Sequence, residues 1–268
     1  KTEHECRNKT SEFKKSIIRE LIKSMRLLGD EVSVHKVDFS ASLREASIST
    51  LLAIKVKTLK KKTLPFSNHR ISDLFPKQKL LHKRRAKTCV IVSSAGSMSG
   101  SGLGEFIDSH EIVMRFNHAP TLGYEADVGN KTTIRIVNSQ VVSKAEFNFL
   151  DSPLFKNISM VAWDPAPLDN GTLADWFEAP DFDLFTNYGK FMTENPTADF
   201  HIINPRSLWD LWSILQDFAK LPIVQNIPSS GFIGIALLLP ICQKLDIVEY
   251  IPSTRLNGRC HYYSEEVP

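Results

Sequence analysis

The sequence predicts an α/β protein with a Rossmann-like, mostly parallel sheet flanked by helices. Short apolar runs of strand length alternate with helical patterns over residues 88–250, and the first run leads through a turn rich in Ser and Gly into a helix. Parallel sheets of this kind bind ligands at the carboxyl ends of their strands. The chain has 268 residues, 42% hydrophobic and 24% charged, which is typical of a folded, enzyme-sized unit.

Each element is predicted from its own periodicity. Apolar residues at helical spacing predict a helix over 13–28, and alternation predicts a strand over 31–39. Residues 40–88 are mixed and basic, and we interpret them as stem and linker. The patterns beyond them predict strands over 88–93, 111–116, 132–137, 158–163, 200–204 and 245–250, and helices over 103–109, 173–178, 206–219 and 230–243. The chain is thus divided into an N-terminal stem remnant and lead segment, 1–87, and a folded domain, 88–268.

Composition and charge argue against several classes of protein. The net charge is only +3, and the basic stretches at 60–63 and 77–87 lack the fold or aromatic platform of a nucleic-acid site, so we interpret them as a solvated face. No run of about 18 apolar residues is present, so no membrane span is predicted within these residues. The chain begins at Lys1 without a signal-peptide pattern, which favours a fragment or a processed form.

The sequons suggest passage through a secretory compartment. Asn-x-Ser/Thr sequons occur at Asn8, Asn130, Asn157 and Asn170, whereas chance supplies roughly one or two in a chain of this size. Asn130 lies inside a compact block of the sequence, where we expect buried structure to shield it.

The four cysteines are too few for a disulfide-rich scaffold, and no Cys or His spacing is typical of a zinc site, so no metal is predicted. Cys89 opens an apolar strand and Cys242 ends a predicted apolar helix. These positions suit one long-range disulfide, which would stabilise the fold by about 4 kcal/mol. Cys6 and Cys260 could pair with each other.

The turn after the first long strand contains Gly96, Gly100, Gly102 and Gly104 among serines. It is not a dinucleotide fingerprint, because the sixth position counted from Gly100 is Glu105, and it lacks the Gly-Lys-Ser/Thr of a P-loop. Two interpretations stay open: its backbone N–H groups face a phosphate or a ribose, or it is a turn without a ligand.

Other polar residues lie where such a sheet binds ligands. Asn117 and Asn138 each end a predicted strand, and an amide suits a phosphate, a ribose or a base edge, although each could also cap a turn. The stretch Ser229-Ser230-Gly231 opens a helix, whose free N–H groups and dipole favour an anion. An ordinary N-cap is compatible with that role.

Two blocks decide between these alternatives. Residues 89–138, which begin CVIVSSAGSM and end TTIRIVN, and residues 228–242, PSSGFIGIALLLPIC, resemble the large and small sialyl motifs of the eukaryotic sialyltransferases. The stretches IVNSQ, VAWDPAP, PDFDLF and LWDLWSILQ are similar to the β-galactoside α-2,6-sialyltransferases. The resemblance covers about residues 88–263. It implies a GT-A-like variant of the fold, a catalytic domain over 88–268 that is incomplete at its C-terminus, and the same Cys89–Cys242 disulfide.

The resemblance also implies an activity and a location. The expected reaction moves sialic acid from CMP-sialic acid to the 6-hydroxyl of a terminal galactose on a glycan or glycoprotein, with inversion and without a metal or other cofactor. Asp181-Phe182-Asp183 imitates a metal-binding Asp-x-Asp pattern, but the resemblance assigns it to the acceptor side. The expected location is the Golgi lumen, through a membrane anchor upstream of these residues, or the secreted fraction.

The residues implied by the resemblance form two groups. Those expected to bind the donor are Ser94, Asn117, Asn138, Ser229, Ser230, Gly231, Cys260 and His261. Those expected on the acceptor side are Gln140 and Asp181, while Phe182 stands where the family usually has Tyr.

The family's general base is a His in a short C-terminal His-x4-Glu motif. His261 and Glu266 have that spacing, but they follow Cys260 in a stretch that resembles the third sialyl motif, so we interpret the spacing as coincidence. The catalytic base is therefore expected beyond Pro268. The alternative function is a catalytically deficient form that binds nucleotide sugar or glycan without transfer. A Rossmann oxidoreductase is disfavoured by the failed fingerprint.

Overall fold

A seven-stranded sheet forms the centre of the protein. The computed structural model describes residues 34–38 (backbone only), 56–81, 85–165, 171–218, 226–250 and 258–265. The strands are β1 (Val34–Asp38), β2 (Ala86–Val92), β3 (Ile112–Phe116), β4 (Ile134–Asn138), β5 (Ser159–Trp163), β6 (Phe200–Ile202) and β7 (Cys242–Val248). Their order is β1-β7-β2-β3-β4-β5-β6. Only β1 is antiparallel to its neighbour, so the predicted mostly parallel sheet is confirmed.

Helices pack on both faces of this sheet. They are α1 (Gly104–Asp108), α2 (Glu125–Val128), α3 (Ser139–Ser143), α4 (Leu173–Glu178), α5 (Leu184–Glu194), α6 (Pro205–Phe218) and α7 (Ser230–Leu238). None of the helices within the described ranges has the length and apolar character needed to span a bilayer. The predicted helix over 13–28 lies outside the described residues.

The buried strands explain the apolar runs in the sequence. Every residue of β3 and β5 is buried, as expected for parallel strands covered on both faces. On one face, Ile91 and Met114 pack with Ile233 of α7. On the other face, a cluster rich in aromatic side chains joins β5 and β6 to α5.

Part of the segment interpreted as stem and linker is packed into this aromatic cluster. Leu59, Phe66 and Phe75 are all buried there, and the backbone N–H of Leu59 donates to the carbonyl of Ile202 at 2.8 Å. The division of the chain at residue 87 stays a prediction, but residues 56–81 contribute core contacts that their basic composition conceals.

The disulfide between Cys89 and Cys242 is present, with Cα atoms 6.0 Å apart. The expectation that Cys242 ends a helix is wrong, because α7 ends at Leu238 and Cys242 begins β7. Leu239 still has helical dihedrals, and the helix ends there because Pro240 has no N–H to donate to the next carbonyl of the helix. The disulfide therefore joins two neighbouring parallel strands, β2 and β7.

Candidate functional site

The polar residues singled out in the sequence converge at the carboxyl edge of the sheet. Ser94 follows β2, Asn117 follows β3 and Asn138 ends β4, while Ser230 begins α7 at the same edge. The hydroxyl of Ser230 accepts a hydrogen bond from the indole N–H of Trp163, the last residue of β5. This edge is where doubly wound sheets bind their ligands.

The segment that contains Cys260 and His261 is docked onto the turn after β2. His261 forms an isolated antiparallel bridge with Ala95. The backbone N–H of Tyr262 donates to the carbonyl of Ser94, and that of Gly96 donates to the carbonyl of Cys260, both at 3.2 Å. The bridged residues Ala95 and His261 are 166 positions apart, and no local pattern in the sequence indicates the contact.

Glycine is required at position 96 by this contact. A Cβ atom there would lie 2.2 Å from the carbonyl oxygen of Arg259. The backbone of the turn can therefore approach the segment 258–263 closely only because residue 96 has no side chain.

The two asparagines are linked to each other. Asn117 has a left-handed φ of 48°, a conformation that Asn tolerates better than most residues. Its Oδ1 accepts from the backbone N–H of Asn138 at 3.1 Å, and Asn138 Oδ1 caps α3 by accepting from Val141 N. The cap interpretation is therefore correct for Asn138 but not for Asn117, whose amide oxygen links the ends of β3 and β4. With both oxygens in these bonds, the amide N–H groups are the donors that a ligand would meet.

Buried arginines support the strand ends beneath the asparagines. Arg135 is 1% exposed and donates through one guanidinium nitrogen to the carbonyls of Asn117 and Ala119. Arg115 braces the next turn by donating to the carbonyls of Val128 and Lys131. Burial lowers the pKa of each arginine to about 10. Both side chains hold loops in place from below the site.

The glycine-rich turn already binds an anion of the protein itself. The carboxylate of Asp127 accepts from the backbone N–H of Gly100 at 2.7 Å and of Gly102 at 2.9 Å. The interpretation that the N–H groups of this turn face a phosphate or a ribose is therefore wrong for these two positions. The physical reason is a tertiary contact: α2 places Asp127 where a phosphate would lie in a nucleotide-binding turn.

The first turn of α7 has a capped end and a backbone that Tyr250 approaches closely. Ser229 is the N-cap, and its Oγ accepts from Phe232 N at 3.3 Å. At Gly231, a Cβ atom would lie 2.2 Å from Cε1 of Tyr250. The N–H groups of the first turn have no partner within the helix by its geometry. Together with the helix dipole they favour a negative charge beside Ser229 and Ser230.

The acceptor-side candidates lie beyond β4 and α4. Gln140 is half-buried in the first turn of α3, and the side chain of Asp181 is exposed. Phe182 is contacted by Lys144, whose Nζ lies 5.4 Å from the ring centroid. Asp183 caps α5 through its carboxylate, which accepts from Thr186 N and Oγ1. The Asp-x-Asp pattern thus contains a helix cap.

Four residues at this edge were missed by the sequence analysis. Within the described part of the chain, each has a buried polar atom without a hydrogen-bond partner: His118 Nδ1, Ser139 Oγ, Asp164 Oδ1 and Tyr250 Oη. Such atoms are rare in native proteins and each needs an explanation. All four residues come one or two positions after the end of a strand. A polar residue at such a position is the sequence signal that could have identified them as site candidates.

The structure describes two of the four sequons, those at Asn130 and Asn157. Asn130 and Asn157 are exposed, so the expectation that buried structure shields Asn130 is wrong. The backbone N–H of Asn130 donates to Asp108, and this bond leaves its side chain at the surface. Asn8 and Asn170 lie outside the described residues.

The fold is that of a Rossmann-like α/β protein, and its polar groups gather at the carboxyl edge of the sheet, where such folds place their ligand sites. The chain belongs to glycosyltransferase family 29 (sialyltransferase), whose sequence model matches residues 35–268. The sequence resemblance to the sialyltransferases is thereby confirmed.

Relatives and solved structures agree with this assignment. The chain is 47% identical over 212 residues to β-galactoside α-2,6-sialyltransferase 2 of Rattus norvegicus. The aligned region covers 78% of this chain and 40% of the relative. The Homo sapiens protein of the same name is 47% identical over 211 residues, with the same coverages. A crystal structure of a mammalian sialyltransferase matches with a TM-score of 0.51 at 22% identity, over 85% of this chain and 78% of that one, and supports the fold. The chain spans about 40% of the length of these two curated relatives.

Proposed function

We propose that this chain is the donor-binding part of a β-galactoside α-2,6-sialyltransferase. The reaction moves sialic acid from CMP-sialic acid to the 6-hydroxyl of a terminal galactose on a glycan or glycoprotein, with inversion and without a metal or other cofactor. The observation that carries the proposal is the meeting of the two sialyl-motif blocks and the segment 258–263 at one edge of the sheet. The relatives that are 47% identical over 212 and 211 residues are named β-galactoside α-2,6-sialyltransferase 2.

The charges of the donor match the groups at this edge. CMP-sialic acid has a phosphate and a sugar carboxylate, and both are anions. The first turn of α7, with Ser229, Ser230 and Gly231, would bind the carboxylate through N–H and O–H groups. The amide N–H groups of Asn117 and Asn138 would donate to the phosphate and ribose, with Ser94, Cys260 and His261 lining the nucleotide.

The chemical step needs charge stabilisation more than nucleophilic catalysis. As the bond to CMP breaks, the sugar becomes oxocarbenium-like and negative charge grows on the leaving phosphate, where fixed donors stabilise it. A general base must accept the proton of the acceptor hydroxyl, and a His with a pKa near the working pH suits this. We assign that base to none of the residues in this chain. Gln140 and Asp181 would contact the acceptor.

The second candidate function is a form that binds nucleotide sugar or glycan without transferring it. The observation that favours it is the packing of His261, whose ring stacks on Tyr263 with centroids 5.1 Å apart while its backbone bridges to Ala95. His261, which alone among the histidines has the His-x4-Glu spacing, is therefore held in the segment expected to line the nucleotide and not on the acceptor side.

Binding and transfer measured together separate these functions. Calorimetry with CMP and CMP-sialic acid tests donor binding, and incubation with CMP-sialic acid and Galβ1-4GlcNAc tests transfer, with and without EDTA. An α-2,6-linked product that forms in EDTA supports the first function. Donor binding without product supports the second function. Absence of CMP binding overturns the first function, and absence of binding to Galβ1-4GlcNAc as well overturns both.

We also propose that the protein works in the Golgi lumen, anchored by a segment upstream of these residues, or is secreted. The disulfide supports an oxidising compartment, and the exposed sequons at Asn130 and Asn157 are accessible to glycosylation. Digestion of secreted protein with an endoglycosidase tests this: unchanged mobility on a gel would contradict modification at either sequon.

A further inference from the structure

Trp163, at the carboxyl end of β5, contacts the hydroxyl of Ser230 in the first turn of α7, which we call the donor half of the site. It is 8% exposed, and its indole Nε1 donates to Ser230 Oγ at 3.0 Å. Because that oxygen accepts the indole N–H, the hydroxyl hydrogen of Ser230 must point to a different acceptor. The bond therefore prepares Ser230 to donate to an anion at the start of α7.

Asp164, the next residue, contacts the acceptor half. It is 1% exposed, and its Oδ2 accepts from Trp176 Nε1 at 2.7 Å and from the backbone N–H of Asp181 at 3.0 Å. Its Oδ1 is buried and has no hydrogen-bond partner. A buried carboxylate is costly unless hydrogen bonds compensate it, so losing either bond accepted by Oδ2 is unfavourable. The bond from the N–H of Asp181 therefore holds the backbone at that residue.

We propose that Trp163 and Asp164 are positioning residues that set the donor helix and the acceptor-side loop at a fixed separation. Trp163 aims the hydroxyl of Ser230 at the carboxylate of the donor sugar, and Asp164 holds the loop that begins at Asp181. The two residues are consecutive at the end of a fully buried strand, so one peptide unit links both halves of the site. The inference rests on the proposed function, and it extends that function to two residues that touch neither substrate.

The donor role is tested with W163F, which keeps an aromatic ring but removes the indole N–H. CMP lacks the sugar carboxylate and is therefore the matched ligand. Losing one hydrogen bond should weaken CMP-sialic acid binding about three- to tenfold and leave CMP binding within about twofold. The control is W209F: the Nε1 of Trp209 is also buried but has no partner, so its removal should change neither affinity.

The acceptor role is tested with D164A and D164N. Binding of Galβ1-4GlcNAc in the presence of CMP is followed by ligand-observed NMR. D164A removes both bonds to Oδ2 and should weaken acceptor binding about tenfold or more. D164N can place its oxygen at the Oδ2 position and its amide nitrogen at the position of Oδ1, so we expect it to keep affinity within about threefold of the wild type.

The outcomes separate this inference from the proposed function. If the wild type binds neither CMP nor CMP-sialic acid, the proposed function fails and the inference with it. If the wild type binds both and W163F keeps their affinity ratio, only the positioning role is overturned. Loss of acceptor binding in D164N equal to that in D164A also overturns it. If D164A does not fold, the donor measurement with W163F decides alone.

Discussion

Replacing Gly96 by alanine should detach the segment 258–263 from the turn after β2. The new Cβ would lie 2.2 Å from the carbonyl oxygen of Arg259, whereas a carbon and an oxygen in contact need about 3.3 Å, so one backbone must move by about 1 Å. Such a shift lengthens the bonds from Gly96 N to Cys260 O and from Tyr262 N to Ser94 O, both now 3.2 Å, beyond hydrogen-bonding range. At about 1 kcal/mol for each bond, the variant should lose about 2 kcal/mol of unfolding free energy.

The same shift should weaken CMP binding, because Cys260 and His261 move with the segment. We expect a loss of about tenfold, since a change of about 1.4 kcal/mol in binding free energy corresponds to tenfold in Kd. Urea unfolding and calorimetry measure the two effects. The matched control is Gly189→Ala in the middle of α5, where the added Cβ would meet no atom within 4 Å beyond its chain neighbours and the backbone of its own helix. This variant should gain about 0.5–1 kcal/mol of stability and keep CMP affinity. A G96A protein with wild-type stability and CMP affinity would refute the reasoning.

The remaining predictions concern the disulfide and two rings near the site. Replacing Cys89 and Cys242 together by alanine should cost about 5 kcal/mol of stability through loop entropy, given the 153-residue separation; an unchanged urea midpoint would contradict this. Burial is the main reason that the pKa of His118 is lowered, and the neighbouring His261 and Arg135 lower it further. Below about pH 6.5 the unfolded chain therefore binds more protons than the folded protein. Stability should then fall as the pH drops below that value, and H118Q should flatten the fall in a pH series of urea unfolding. Burial raises the pKa of Tyr262 to about 12, so stability should decrease as the pH rises from about 10 to 12, and less steeply in Y262F.

Elements with a strong local signal could be predicted from the sequence to within a few residues. The apolar runs at β3 and β5 and the helix at α4 are confirmed, with bounds within one residue of those predicted. The end of α7 was misplaced because an apolar run does not distinguish a buried helix from the strand that follows it. α5 was missed although Asp183 and Thr186 mark its start. Its first half contains Thr186, Asn187 and Gly189, which are weak helix formers and conceal the helical spacing of its buried residues.

The candidate site could be predicted as a set of positions but not as a set of contacts. Asn117 and Asn138 were identified because they end strands, and they lie at the expected edge. The bond from Gly102 to Asp127 spans 25 residues, and the bond that connects Trp163 to Ser230 spans 67 residues. Such pairs depend on how helices pack against the sheet, and the periodicity of a single element contains no information about them.

The carboxylate of Asp127 decides which part of this edge can bind an anion. Two turns present backbone N–H groups there, the glycine-rich turn after β2 and the first turn of α7. Asp127 accepts from Gly100 and Gly102 in the first of these turns, so a phosphate would have to displace a charged group that already makes two hydrogen bonds. The first turn of α7 has the hydroxyl of Ser230, whose oxygen accepts from the indole N–H of Trp163, and the positive end of a helix dipole. The physical chemistry therefore favours α7 as the anion site and gives the glycine-rich turn a structural role, which reverses the order of importance that a motif search would assign to them.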